Sequence, residues 1–346
     1  MTEDIKQLRV SNDALDDPGE LQRRIADEGY LFFRGLMPAD RLRALRYEMM
    51  SAIQAAGWLI AGTDPSDGIA DINMRYTEGD NEYSAGYARV YKLENFHRSA
   101  HWTEVTSAVA KILGGEIMPH PQKVARIWFP KYTEHTTPTH QDYVHFQGSF
   151  NTLTCWAPVG DCPLELGGLA VIPRSHRVQR VLEHHFSLGA GGLIVDETEH
   201  DEIDPVWHST DYECGDALFF PALTIHKALP NYTEDRLRLS LDNRYLKVGE
   251  DIAEHMLLPH GPSQLNWQDI YPHWAADDLK YYWRKYDNKV VARDTSFKEK
   301  GWAEALSRAR QGDEDAVYSL LRTIKNDPAN PYDDARAVLA ELGVAV

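Results

Sequence analysis

Between residues 120 and 245 the chain is written as short apolar or aromatic runs: KVARIWF, DYVHFQGSF, TLTCWAPV, GGLAVIP, DALFFPA and RLRLSLDNRYL. Each run is broken by turn residues. Segments of this length, rich in β-branched and aromatic side chains, read as strands, and their spacing predicts an antiparallel sandwich or barrel. The flanks read differently. After Pro18, Leu21 and Ile25 suit one helical turn that Gly29 closes, and YLFF reads as a short buried strand. Pro38 and Asp40 then open a helix whose Leu42, Leu45, Met49 and Ile53 share one face. Residues 301–343 read as three helices broken by GDED and NDPANP, behind an aromatic stretch, WQDIYPHWAADDLKYYWRKY, assigned to packing against the sheets. The expectation is a mainly β core with N-terminal helices and a C-terminal helical extension. It divides into a flexible arm over 1–17, a catalytic unit over 18–250 and an extension over 251–346 packed on the core.

Two segments lack periodicity. Residues 61–97, rich in Gly, Asp and Asn, are predicted as long loops with little helix. Such loops suit a lid, in which Arg75, Tyr76, Arg89 and Lys92 are candidates for reading substrate. Residues 178–212 are predicted as an exposed excursion, with His184, His185 and His200 in solvent. His97 and His101, four apart, could share a helix face with a metal-like spacing, but without a third partner or the glutamate of a zinc protease motif no metal site is expected there.

A net charge of −17 argues against a nucleic-acid groove or an anionic membrane surface, since both require a positive field. No stretch approaches 18 apolar residues, and the N-terminus lacks the apolar core of a secretory signal. Cys155, Cys162 and Cys214 form no Cys-x-x-Cys pair and read as reduced thiols. The expectation is a cytoplasmic protein that takes a small-molecule substrate and neither nucleic acid nor membrane. The sequence does not specify its oligomeric state.

Within the strand-like region, PTHQDYVHFQG places His140 and Asp142 two apart. On a strand they share a face with Val144, while Gln141, Tyr143 and His145 take the other. Alone, an imidazole and a carboxylate so placed form a surface pair, a buried hydrogen bond or two ligands of one metal. His226, 86 positions later, follows an apolar strand. Two histidines and one carboxylate match the facial triad of non-haem Fe(II), which leaves coordination positions open where a structural zinc site would close them. Further on, Arg238, Ser240 and Asp242 share one face of DRLRLSLDNRYL. An arginine inside a barrel is costly unless an anion pairs with it, and a dicarboxylate gripped by Arg238 with help from the Ser240 hydroxyl meets that cost.

These features together resemble the phytanoyl-CoA dioxygenase-like family of Fe(II)/2-oxoglutarate-dependent oxygenases, whose catalytic fold is a double-stranded β-helix. The likeness runs from about residue 25 to 247. It includes DEGYLFFRGLMPADRL, THQD at the first two ligands, the strand containing CW, GGLAVIPRSH, and GDALFF before the distal histidine. It implies His140, Asp142 and His226 as iron ligands, with no catalytic residue beyond them. Arg238 and Ser240 would hold 2-oxoglutarate, with Gln141 and Trp156 flanking it; the family's spacing of about eleven residues beyond the distal histidine falls between Arg236 at ten and Arg238 at twelve, and a one-residue insertion in NYTED, with Ser240 two and Tyr245 seven residues on, favours Arg238. Halogenating relatives replace the aspartate, and Asp142 is present. The implied activity is hydroxylation of an unactivated C–H bond of a small metabolite, using O2 and releasing succinate and CO2. A cupin-like isomerase or hydrolase, or a non-catalytic sensor of the same fold, is the alternative.

Overall fold

The structure, a computed structural model, describes residues 5–74 and 76–346. Two sheets face each other. The larger runs in the order Leu31–Phe33, Ala217–Pro221, Leu153–Pro158, Arg238–Lys247, Ile117–Pro119, and Val124–Trp128 also pairs with Arg238–Lys247. The smaller runs Lys6–Gln7, His208–Ser209, Leu169–Val171, Ile225–Ala228, His140–Gln141. Every pairing in these sheets is antiparallel except that of Lys6–Gln7. Neighbouring strands come from distant parts of the chain, as in a double-stranded β-helix. No helix among the described residues is long and apolar enough to cross a membrane.

Strand parity decides what each face carries. Phe32, Trp156, Leu218 and Phe220 of the larger sheet meet Leu169 and Val171 of the smaller in one apolar cluster between the sheets. On the outer face of the larger sheet, Ile127, Cys155, Leu239, Leu241 and Tyr245 are buried in the main core. The helices Ala39–Gln54, Asn81–Tyr91 and Thr103–Leu113 cover that face. In Arg238–Lys247, nine of ten residues are buried, so its polar residues Arg238, Ser240, Asp242 and Arg244 point inward between the sheets.

Four expectations change. Residues 5–17 are not a loose arm. Lys6 and Gln7 extend the smaller sheet beside His208 and Ser209, which covers an otherwise open strand edge, and Leu8 and Ala14 are buried. The segment 61–97 contains the helices Asn81–Tyr91 and Glu94–Ser99. Tyr83, Tyr87 and Tyr91, spaced i, i+4, place their rings 5.7 Å apart in succession, because burying three large rings outweighs modest helix propensity. Within this segment Arg89 is exposed, Tyr76 packs on Trp58 and Phe129, and Arg75 lies outside the described residues. The excursion 178–212 buries Leu182, His184, Val195, Ile203 and Trp207. Finally, DYVHFQGSF is a strand nowhere: pairing stops at Gln141, and Tyr143–Phe146 is a helical turn.

Trp267, Ile270, Tyr271 and Trp274 join the main core, where His97 packs 5.0 Å from the Trp274 ring. His101 packs edge-on against Tyr282 at 4.5 Å. The helices Ser296–Arg310, Glu314–Asn326 and Asp333–Glu341 share a separate core with Phe186 and Leu188.

Candidate metal and co-substrate centre

Antiparallel pairing of Ile225–Ala228 with His140–Gln141 sets His226 directly opposite His140. That register closes the long gap in sequence, and the two imidazole centroids lie 4.2 Å apart. Asp142 follows the strand end in helical conformation, with φ −59° and ψ −26°. Two strand residues on one face are separated by a full pleat repeat, nearly 7 Å. Turning the chain at Asp142 swings its carboxylate back, so one oxygen sits 3.5 Å from His140 Nε2 and 3.8 Å from His226 Nε2. All three ligand atoms lie within 4.8 Å of one another, and all three residues are buried.

The ligand atoms are held from behind. His140 Nδ1 is 2.7 Å from the Pro138 carbonyl and His226 Nδ1 is 3.0 Å from the Thr224 carbonyl. A carbonyl can only accept, so each Nδ1 carries the proton and each Nε2 keeps its lone pair free. Burial pushes the His226 imidazole down to about 3, leaving it neutral, the form that binds metal. The Thr154 hydroxyl donates to Asp142 at 2.6 Å, and Arg244 lies 3.2 Å from the other carboxylate oxygen. Burial alone would push the Asp142 carboxyl up; the Arg244 guanidinium instead holds it well below the usual carboxylate range.

Two contiguous chambers meet at this cluster. The inner one reaches Trp156, Phe220 and Arg238 and holds ≈ 20 Å³, the room of about one water. A dicarboxylate therefore enters only as the surrounding side chains shift. The outer one holds ≈ 320 Å³. Arg126, Thr137, His140, Asp142 and Arg244 border both. Arg238 is 1% exposed, its Nε has no hydrogen-bond partner among the described residues, and its Nη1 donates to the Ser240 hydroxyl at 2.5 Å. Its guanidinium carbon stands 5.3 Å from the Trp128 ring. Burial pushes Arg238 down to about 10. Asp242 sits in the same chamber, its carboxyl pushed up by burial against the pull of Arg126 at 3.4 Å.

Of the residues expected at the centre, the structure brings together His140, Asp142, His226, Arg238, Ser240 and Trp156. Gln141 is elsewhere. Its amide donates to the Arg180 and Leu223 carbonyls and accepts from the Leu182 N–H, because its parity on the strand points it away from His140. It anchors the start of the 178–212 segment. Tyr245 also faces outward, donating to the Ala100 carbonyl at 3.0 Å; seven positions from Arg238 is an odd offset on a strand. His145, expected on the packing face, borders the outer chamber 5.2 Å from the His140 ring, since the helical turn rotates it inward. Thr154 and Arg244 were missed, although strand parity with Trp156 and Arg238 would have found them.

The sequence profile described as phytanoyl-CoA dioxygenase matches residues 25–239. The chain is 24% identical over 272 residues to the 1-deoxypentalenic acid 11-beta-hydroxylase of Streptomyces exfoliatus, covering 75% of this chain and 92% of that one. The Streptomyces arenae enzyme of the same name is 24% identical over 271 residues, with the same coverage. Among solved structures, the epimerase SnoN from nogalamycin biosynthesis, in complex with Fe3+ and alpha ketoglutarate, aligns with a TM-score of 0.45 at 20% identity, covering 68% of this chain and 86% of its own. The non-heme monooxygenase ThoJ aligns with a TM-score of 0.48 at 15% identity, covering 76% and 96%.

Proposed function

Because the chain belongs to the phytanoyl-CoA dioxygenase family and is an Fe(II)/2-oxoglutarate-dependent oxygenase, we propose that it hydroxylates an unactivated C–H bond of a small-molecule metabolite. His140, Asp142 and His226 are the residues that would hold the iron. Their donor set, two imidazoles and one carboxylate, suits a three-ligand face that leaves positions open.

The observation that carries the co-substrate assignment is Arg238, a buried guanidinium with an unpartnered Nε in the chamber that reaches the triad. An uncompensated buried charge costs several kcal/mol, and the distal carboxylate of 2-oxoglutarate supplies its counter-charge. A Lewis-acid isomerase or hydrolase has no use for a cation there. Arg238 and Ser240 bind and orient the co-substrate, Trp156 and Phe220 wall the inner chamber with apolar rings, and Thr154 and Arg244 keep the Asp142 carboxylate aimed at the two Nε2 atoms. When bound, iron with 2-oxoglutarate and O2 supplies the oxidation, in which the oxo acid becomes succinate and CO2 and one oxygen atom is inserted into the substrate C–H bond. The outer chamber is of the size that takes a metabolite. The relatives named as hydroxylases support hydroxylation as the outcome.

Anaerobic addition of Fe(II) and 2-oxoglutarate to the protein is expected to produce a visible metal-to-ligand charge-transfer band. A metabolite panel in air is then expected to yield succinate in step with a product heavier by one oxygen atom. No band would overturn the oxygenase centre; a desaturated or rearranged product would overturn hydroxylation alone.

A further inference from the structure

The outer chamber carries positive charge that the oxygenase chemistry leaves unused. Arg126 is paired with Glu78 and lies 3.4 Å from Asp242, and Arg244 faces Asp142. Arg293 and Lys298 border the same chamber from the C-terminal extension. Among the described residues neither side chain has an acidic or hydrogen-bonding partner, and the Arg293 Nε is buried. Burial pushes Arg293 down, and burial together with Arg293 pushes down the Lys298 ammonium.

The position of Arg293 is set by the metal-bearing segment itself. Gln147 follows the helical turn after Asp142; its side chain accepts the Asp294 N–H at 2.7 Å and donates to the Asp294 carbonyl at 2.8 Å. The Arg293 N–H meets the Glu254 carboxylate at 3.2 Å. The remaining wall is mixed: Val124, Phe146, Ala190, Met256 and Pro259 are apolar, while Gln122, Thr137, His145, His255 and His260 are polar. Arg293 borders only the outer chamber and Arg238 only the inner, so the two guanidiniums address different anions.

Resting on the oxygenase reading, we propose that Arg293, together with Lys298, is a substrate-anion subsite, and that the substrate class is a compact carboxylic acid whose frame is partly apolar. The guanidinium fork grips a carboxylate through two parallel N–H···O bonds. The frame then spans from Arg293 toward the triad and presents a C–H bond there. This reader lies beyond residue 239, where the match to the family ends.

The test is a matched pair of probes, adamantane carboxylate and adamantane carboxamide, titrated by calorimetry into anaerobic protein saturated with Fe(II) and 2-oxoglutarate. The native protein is expected to prefer the acid by about tenfold or more, the worth of a charge-assisted pair. Arg293→Gln is expected to bring that ratio close to one while amide affinity and the charge-transfer band are retained, and Arg293→Lys to restore part of it. Equal affinity for the two probes in the native protein, including binding of neither, overturns the subsite. So does an undiminished preference in the Arg293→Gln/Lys298→Gln double variant. A missing charge-transfer band in the native protein would instead strike the oxygenase reading, because Arg293 takes no part in that band.

Discussion

Two arginines two positions apart have opposite fates on one strand face. Arg238 is buried with an unpartnered Nε. Arg236 is half-exposed, donates to the Asp67 carbonyl at 2.9 Å and lies 3.5 Å from Asp235. Losing the buried partner of a carboxylate costs about 3–5 kcal/mol, or two to four orders of magnitude in affinity; losing an exposed arginine costs under about 1 kcal/mol. Arg238→Ala should therefore raise the 2-oxoglutarate requirement steeply and Arg236→Ala hardly at all, with Arg238→Lys between them because lysine keeps the charge but not the fork. The opposite order in a 2-oxoglutarate titration would move the co-substrate to Arg236. His140→Ala, Asp142→Ala and His226→Ala should each abolish succinate formation with circular dichroism unchanged, and full activity in any one removes that residue from the centre. Lys123 offers a pH test away from the site. It is 1% exposed, and burial pushes its ammonium down to about 7. Between about pH 7 and 10 the unfolded chain holds a proton that the folded one has lost, so stability rises with pH across that window, and below it the penalty is constant. Lys123→Met should raise Tm most at or below pH 7, with the gain fading toward pH 10; a gain that grows with pH would contradict the assignment.

The helix Asn81–Tyr91 shows why glycine-rich sequence misleads. Gly86 sits in its middle, where alanine would ordinarily add about 1 kcal/mol of helix propensity. A Cβ there would overlap the Trp58 ring, and Trp58 packs 5.6 Å from Tyr83 and 5.3 Å from Phe129. Overpacking costs about 1–3 kcal/mol, so Gly86→Ala should lower Tm by a few degrees. A higher Tm would mean that the helix and Trp58 do not approach this closely. The 178–212 segment is held by the same kind of tie: His184 Nε2 accepts the Gln141 N–H at 3.2 Å while its Nδ1 donates to the Leu182 carbonyl at 2.9 Å. That fixes the neutral tautomer, and burial pushes the imidazole down to about 4. The middle of the segment brings Ala190 and Gly191 to the outer chamber.

We propose that residues 251–346 fold with the catalytic core as an integral extension. Support comes from the Trp267–Trp274 aromatics in the main core, the Gln147–Asp294 pair of hydrogen bonds, and the Phe186 and Leu188 contacts with the last three helices. Truncation after residue 250 would uncover those rings and strip one wall from the outer chamber. The expected product is an aggregation-prone chain without 2-oxoglutarate turnover. A soluble, active 1–250 fragment from limited proteolysis would make the extension a separate domain.

Alternation of side chains along a strand is a local property. That is why Arg238, Ser240 and Asp242 could be placed from their spacing, the helices after Pro18 and Pro38 from their apolar faces, and the three helices of 301–343 from the breaks between them, whereas Trp156 came from the family pattern. His140, Asp142 and His226 were legible as residue types with a shared chemistry, and the family pattern supplied their order. Their meeting depends on the register that sets His226 against His140 and on the turn that bends the chain at Asp142. Neither leaves a local trace, because each is set by hydrogen bonds to strands and loops far along the chain. The same holds for Gln141, whose parity turns it away from the centre, and for Arg293, whose surroundings show nothing of the chamber it borders. Local spacing constrains which face a side chain takes; which partner that face meets is determined by packing between segments that lie far apart in the sequence.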